Sequence, residues 1–319
     1  MNVLLREISK AETIAICGHI RPDGDCVGSC MGLYSYLSDC YPEKQVTVYL
    51  EEVPEAFSYL KKDEAFRPKA DTYDLFISLD CGATDRFGDA QEVFRRAERT
   101  LNIDHHISNE EFADVNHVEA SASSTSEVLC SMMEMDKIGT FTAEALYTGI
   151  VHDTGVFKHS NTGKRTMELT GQLMEKGIPF GKIIDESFYQ KTYKQLQIMG
   201  RCLLESVRIM DGRCIFCVVP KRIMDFYGAK PSDLSGVIDE LRTTEGVEVA
   251  IVITERDAAD YKVSMRSNQV VDVSRIATFF GGGGHIRAAG CEMKGSPFDV
   301  INNLTEHIEK QLRSGGAQE

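Results

Sequence analysis

TIAICGHIRPDGDCVGSCMGLYSYL, residues Thr13–Leu37, is the stretch on which the fold turns. Thr13–Cys17 is a short apolar run that reads as a buried strand, and Cys26–Leu37 reads as a helix. The loop between them carries His19, Asp23 and Asp25 in an H-x-x-x-D-x-D spacing. A strand, a loop and a helix in that order predict the first unit of an α/β sheet, whose ligands gather where loops leave the carboxyl ends of the strands.

Outward from this unit the pattern repeats. Val46–Leu50, Leu75–Leu79 and Leu101–Ile103 read as strands, and Glu92–Glu98, Ser123–Met133 and Ala143–Val151 as helices. The alternation predicts a doubly wound, mainly parallel sheet. Asp80 follows the strand LFISL; Asp104, His105 and His106 close TLNIDHH; His152 and Asp153 follow the helix ending near Val151. An aspartate at one strand end is commonly a helix cap or a turn former. Four such sets in one sheet bring like charges together, with few basic residues nearby, and divalent cations supply the compensation. Carboxylate and imidazole donors without matched cysteines suit Mn²⁺, Mg²⁺, Fe²⁺ or Zn²⁺, and Mn²⁺ suits the mixture well. The candidates exceed what one ion needs beside a substrate, so the sharper expectation is a two-metal site with ions ~3.5–4 Å apart.

Beyond Tyr189–Leu204, a helix-like stretch, the pattern changes. Val207–Met210 and Cys214–Val219 flank an Asp211-Gly212 pair, a strong hairpin signal. Strands are expected at Val247–Thr254 and Tyr261–Met265, and helices near Ser232–Leu241, Val273–Phe279 and Pro297–Gln311. The division is a catalytic domain at 1–190, a connecting helix at 191–199 and a smaller mixed α+β domain at 200–319, with the active site in the cleft between domains. The tail SGGAQE reads as frayed. FFGGGGHIRAAGC, Phe279–Cys291, reads either as a flexible loop or as a phosphate cradle. Glycines let backbone amides approach an anion, and His285 and Arg287 follow them.

Composition narrows the partners. The net charge is −14, of which residues 200–319 carry −2 (15 Lys+Arg against 17 Asp+Glu), leaving −12 for the first 199 residues. A groove for long nucleic acid needs a basic stripe, so long DNA or RNA is not expected. A short phosphorylated ligand remains open. No window has the ~20 apolar residues of a membrane span, the N-terminus lacks a signal-peptide core, and the ten scattered cysteines suit reduced, packed thiols. A cytoplasmic address follows. Cys214 and Cys217 have no second half for a zinc knuckle.

Asp104-His105-His106, with His19-x-x-x-Asp23-x-Asp25, Asp80 and His152-Asp153-Thr154-Gly155, resembles the DHH phosphoesterase superfamily. Gly281–Gly284, His285 and Ala288-Ala289-Gly290 resemble its DHH-associated second domain. The resemblance implies one metal on His19, Asp23 and Asp80 and another on Asp25, Asp80, His105 and Asp153, with Asp80 bridging. His106 would face the scissile phosphate, and metal-activated water would be the nucleophile. Asp104 would orient an imidazole from outside the metal sphere. Arg266 and His285 would hold another part of the substrate, with Ser267, Asn268, Gly283, Gly284 and, more weakly, Arg287 in support.

Neither the extra domains of RecJ-like exonucleases nor the spanning helices of membrane-bound cyclic-dinucleotide phosphodiesterases are present in this chain, and family II pyrophosphatases lack the Gly-rich His motif. The compact branch of NrnA-type oligoribonucleases remains, supported by Ser160, Asn161 and Thr162. It implies hydrolysis of nanoRNA of two to five nucleotides and dephosphorylation of adenosine 3′,5′-bisphosphate (pAp), with the gap between domains acting as a ruler. The alternatives are a phosphodiesterase for linear pApA or cyclic di-AMP, and a non-catalytic nucleotide sensor. A homodimer is left open.

Overall fold

The computed structural model describes residues 2–315, and the chain divides after Gln190 into two compact units. In the first unit, strands β1 (Thr13–Cys17), β2 (Gln45–Tyr49), β3 (Leu75–Leu79), β4 (Thr100–Asp104) and β5 (Val115–Val118) form one parallel sheet in the order β2-β1-β3-β4-β5. The chain winds outward in both directions from β1, so the topological switch lies between β1 and β3.

Helices α1 (Val3–Ile8), α2 (Gly24–Cys40), α3 (Gln91–Arg96), α4 (Thr125–Met132), α5 (Thr140–Asp153), α6 (Lys164–Met174) and α7 (Phe180–Ile184) complete the unit. Both faces of the central strands are covered, which is why β1 and β3 are near-continuous apolar runs rather than alternating. Ile14, Ile16, Leu75, Ile77 and Leu79 pack under α2, α4 and α5, while Ala15, Cys17 and Phe76 meet Phe87 and Phe94 on the other face. β5 was not expected from the sequence; VNHV is only half-buried at the sheet edge and has no apolar run to announce it.

The second unit has a six-stranded mixed sheet. Its strands are β6 (Val207–Ile209), β7 (Cys214–Val219), β8 (Val249–Asp257), β9 (Asp260–Ser267), β10 (Gly283–His285) and β11 (Ala288–Lys294), in the order β10-β11-β9-β8-β7-β6. Only β7 and β8 run parallel. Helix α8 (Tyr193–Leu204), at the residues read as a connector, buries Ile198, Met199 and Cys202 in the core of this unit. With it come α9 (Lys221–Tyr227), α10 (Val237–Arg242), α11 (Val273–Phe279) and α12 (Pro297–Gly315).

Cys214 and Cys217 face opposite sides of β7 and enter different cores, so one ion cannot take both. The helix expected at Ser232–Leu241 is a 3₁₀ turn and a short α-helix separated at Gly236, whose φ of +84° breaks the helical path. Of the tail read as frayed, Ser314 and Gly315 end α12, and Gly316–Glu319 lie outside the described residues. Among the described residues no helix is long and apolar enough to cross a membrane.

Candidate metal centre

All five strands of the first sheet point their carboxyl ends to one edge, and the predicted ligands collect there. His19 follows β1, Asp80 directly follows β3, and Asp104 ends β4 with His105 and His106 behind it. Two helices bring the rest. Asp23 caps the N-terminus of α2, its Oδ1 accepting from the amides of Asp25 and Cys26; Asp25 lies in the first turn; Asp153 is the last residue of α5, inside the helix rather than beyond it.

Asp25 and Asp153 meet because α2 and α5 pack almost backbone to backbone. A Cβ on Gly28 would lie 2.4 Å from the carbonyl oxygen of Ala145, and one on Gly149 would lie 2.0 Å from Ser126 Oγ and 2.5 Å from Asp25 Oδ1. Glycine at these two positions is what lets the carboxylates converge.

Asp80 sits at the middle. Its Oδ2 is 3.5 Å from His19 Nε2, and its Oδ1 is 3.6 Å from both His105 Nε2 and His106 Nδ1. Asp23 Oδ2 is 3.7 Å from His19 Nε2, and Asp153 Oδ2 is 3.1 Å from His105 Nε2. Ligand-type atoms of Asp25, His105 and Asp153 lie within 4.8 Å of one another, as do those of Asp80, Asp104, His105 and His106, and those of His19, Cys26 and Asp80. Asp80 holds this place in a left-handed backbone conformation, φ +55°. Such strain of a non-glycine residue gathers at functional sites, and Asp is among the residues that tolerate it.

The electrostatics of the cluster favour a bound cation. Burial, then the charges of Asp23 and Asp153, push the Asp80 carboxyl up to about 6 against the hydrogen bond from His19. Asp25 is held well above the usual carboxylate range, by burial and then by Asp80 and Asp153. The imidazoles respond in the opposite sense. Burial disfavours a proton on His105, yet Asp153, Asp25 and Asp80 hold it up to about 10, and Asp23 and Asp80 likewise raise His19 against its burial. Carboxylates that resist ionising beside rings that retain protons are short of positive charge, which a divalent cation supplies.

The donor set fits such an ion. His19 Nδ1 is 2.8 Å from the carbonyl of Ile20 and donates to it, so that Nε2 faces Asp80 and Asp23 and would offer its lone pair to a cation that replaced the proton there. Cys26 also reaches the cluster, but burial raises its thiol well above the usual range, and its sulfur accepts the His19 amide.

Asp104 is fully engaged. Its Oδ1 accepts from the amides of His105 (2.7 Å) and His106 (3.2 Å) and lies 2.8 Å from His106 Nδ1, while Oδ2 accepts from Asn109. The carboxylate fixes the tautomer of His106, whose side chain is 38% exposed and turns Nε2 away from Asp104. Asp104→Asn should lower kcat by roughly 10–100-fold, the usual effect of losing a group that orients a functional side chain. Mn²⁺ affinity should be nearly unchanged in a titration of the variant.

Several contributors were invisible in the sequence. The N-terminus of α4 binds Asp25 through the amides of Thr125 (2.7 Å) and Ser126 (2.9 Å), and Thr125 Oγ1 donates to Asp80 Oδ1 at 3.2 Å. Behind it the buried Glu127 accepts from Ser123 Oγ and Thr166 Oγ1, tying α4 to α6. The only signal was the Ser124-x-x-Glu127 spacing of a capping box, and Ser124 does accept from the Glu127 amide. His152 is not part of the cluster. Its Nε2 pairs with Ser187 Oγ at 2.9 Å between Phe57 and Phe188, and burial lowers it to about 4, so it stays neutral.

In the second unit the expected substrate residues separate into two groups. His285, Gly283 and Gly284 are exposed on β10, and Arg266 is partly exposed on β9. Arg266 donates to the carbonyl of Met265 and stands 3.9 Å from Asp239. The others are committed to the fold. Ser267 is buried, with Oγ directed at the Ile286 carbonyl; Arg287 donates to the carbonyls of Val271 and Gln269. Asn268 accepts from Arg242 Nη1 and donates to the carbonyls of Arg242 and Val247. Asn268→Ala should therefore destabilise by about 1–3 kcal/mol, leaving buried partners unpaired, and a melting curve rather than KM should report it.

The glycine run is not an open amide loop either. The amides of Gly281 and Gly282 cap the end of α11 on the carbonyls of Thr278 and Ala277, and Gly283 and Gly284 pair with Gly290 and Ala289 in a hairpin.

Comparison with known proteins adds to this geometry. The model of the DHH family, N-terminal domain, matches residues 13–150, and that of the DHHA1 domain matches 213–314. The chain is 27% identical over 295 residues to a Bacillus subtilis protein named bifunctional oligoribonuclease and PAP phosphatase NrnA, covering 91% of this chain and 92% of that one. It is 28% identical to the Thermus thermophilus protein of the same name, covering 98% and 95%. Among solved structures, an exopolyphosphatase-related protein from Bacteroides fragilis matches with a TM-score of 0.84 at 25% identity, covering 96% of this chain and 94% of that one.

Proposed function

The chain belongs to the DHH family, an N-terminal DHH domain followed by a DHHA1 domain, and from that premise we propose that it is a two-metal phosphoesterase. Its substrates are short oligoribonucleotides, cleaved to nucleoside 5′-monophosphates, and pAp, dephosphorylated to AMP. The observation that carries the proposal is the convergence of His19, His105 and His106 on the single carboxylate of Asp80. The names of the relatives support the substrate class.

His19, Asp23 and Asp80 would hold one divalent cation, and Asp25, Asp80, His105 and Asp153 would hold the other; Mn²⁺ suits this donor set, and Mg²⁺ is the alternative. When bound, the cations supply a nucleophile from water near neutral pH and neutralise charge on the phosphoryl oxygens. His106 donates through Nδ1 to Asp104, whose carboxylate raises its hold on a second proton; the protonated ring directs Nε2–H to the scissile phosphate and donates to the oxygen on which charge develops. Thr125 and the α4 amides keep Asp80 and Asp25 in place during turnover.

The DHHA1 domain holds the rest of the substrate through Arg266 and His285, beside Gly283 and Gly284. Arg266 has a fork suited to phosphate and only a distant carboxylate neighbour. Arg266→Ala should raise KM at least about tenfold with a smaller change in kcat, the signature of lost uniform binding. Charge supports short ligands: the balance of −2 over residues 200–319 offers no basic track for a long strand. The ten free cysteines suit a reducing, cytoplasmic setting.

The test is one panel: kcat/KM for RNA of two to five nucleotides, a long RNA, pAp, pApA and cyclic di-AMP, each with Mn²⁺. Short RNA and pAp should be turned over, and the long strand poorly. Protein inert on both short RNA and pAp while loaded with Mn²⁺ refutes the proposal.

A further inference from the structure

Asn109 closes the loop behind His106, and every hydrogen-bonding position of its side chain is taken. Its amide nitrogen donates to Asp104 Oδ2 and, at 3.3 Å, to the carbonyl of Cys81. Its oxygen accepts from the amide of Glu111 at 2.8 Å and from Asn102 Nδ2 at 2.9 Å. Two donors and two acceptor positions are all that an asparagine side chain has. Turning the amide over would set oxygen against oxygen at both Asp104 and Cys81, so the four partners admit one orientation.

Three parts of the metal centre's wall meet on this one group. Cys81 directly follows Asp80, Asp104 holds His106, and Asn102 lies in β4 two residues before Asp104. The two oxygens of Asp104 are unequally held. Oδ1 faces three donors, the amides of His105 and His106 and the ring Nδ1 of His106, whereas among the described residues Asn109 alone meets Oδ2. A carboxylate held at one oxygen still turns about its Cβ–Cγ bond, a broad torsion. The bond from Asn109 fixes that turn, and with it the direction in which Oδ1 meets the imidazole.

Asn102 supports the same assignment. It is 0% exposed between the apolar Leu101 and Ile103, and its own Oδ1 has no partner among the described residues. A buried acceptor left without a hydrogen bond lowers stability, and an apolar side chain here would avoid the loss. The bond that Asn102 does make is the one to Asn109. We propose that Asn109, backed by Asn102, is a positioning residue of the reaction, fixing the Asp104 carboxylate so that His106 is aimed at the phosphate. The proposal rests on the role given to His106 above. It puts no contact between Asn109 and substrate or metal, so losing the amide should show in kcat and leave KM and Mn²⁺ affinity nearly unchanged.

Asn109→Asp keeps the shape and sets a carboxylate oxygen against Asp104 Oδ2. Turnover of pAp should fall roughly 10–100-fold in kcat, with KM within about threefold of the natural value. A reciprocal exchange is the sharper test. In Asp104→Asn the new amide nitrogen faces the amide of Asn109, donor against donor, and adding Asn109→Asp gives it an acceptor again. The double variant should be at least about tenfold more active than the product of the two single losses predicts. If Asn109→Asp does not fold, Asn102→Ser carries the test, with a few-fold lower kcat at unchanged KM. The proton on His106 Nδ1 reads the same contact without turnover. Its NMR resonance, observed in protein loaded with Mg²⁺ and identified by its loss in His106→Gln, should shift or be lost to exchange in Asn109→Asp. Single losses that simply multiply, a change in KM without one in kcat, or a His106 resonance unaltered in Asn109→Asp each overturns the proposal. A natural chain that turns over no substrate refutes the phosphoesterase reading instead, and the resonance then decides the positioning role alone.

Discussion

Asp80→Asn should abolish turnover, on the order of 10³-fold or more in kcat, the upper end of what removing one electrostatic group from a reacting centre does. Asn is the right probe because the position has φ +55°, which Asn tolerates as Asp does. The shape and the backbone are kept, and one charged oxygen is lost. The effect is large because no other carboxylate faces all three rings: His19 on one oxygen, His105 and His106 on the other. Folding should suffer little. The Asp80 charge is resisted by burial and by its neighbours Asp23 and Asp153, so neutralising it leaves the metal-free melting temperature within a few degrees. A variant retaining most of its activity would show that Asp80 does not link two ions.

Gly28→Ala should act through the fold and reach the same centre. The new methyl would meet the Ala145 carbonyl and the Gly149 amide at 2.4 and 2.8 Å, both backbone atoms that cannot swing aside. Overpacking of this kind costs about 1–3 kcal/mol. The α2–α5 separation that relieves the clash also parts Asp25 from Asp153, so Mn²⁺ affinity should fall at least about tenfold along with the melting temperature. Gly171→Ala is the control. It lies in α6 with nothing within 4 Å of an added Cβ, and should raise stability by up to about 1 kcal/mol through helix propensity alone. If Gly28→Ala behaves like Gly171→Ala, close helix packing does not set the site.

The parallel sheet was legible because β1 and β3 are short, apolar and followed at once by loops, and because burial on both faces leaves no polar alternation to confuse them. The candidate ligands were legible for a related reason: a sheet with all carboxyl ends on one edge turns positions just after strands into neighbours in space. What stayed hidden is what sequence distance cannot express. Glu127 and Thr166 meet across 39 residues, and Asp25 finds its amide partners 100 residues away. Asp104, expected to orient an imidazole, lies against Nδ1 of His106 and is itself held by the amides of His105 and His106 and by Asn109. Glycine composition left Gly281–Gly284 open, since a run that caps a helix and then enters a hairpin has the same letters as a loop over a phosphate. The backbone bonds of Asn268 and Arg287 were hidden because a polar side chain turned to its own backbone cannot be told in sequence from one turned to solvent.

The most direct measurement is the number of Mn²⁺ ions held by each chain, by equilibrium dialysis of metal-free protein with elemental analysis. Two ions per natural chain, and a loss of at least one in Asp80→Asn, is the expected result. One ion per natural chain, or none, would contradict a two-metal centre built on Asp80.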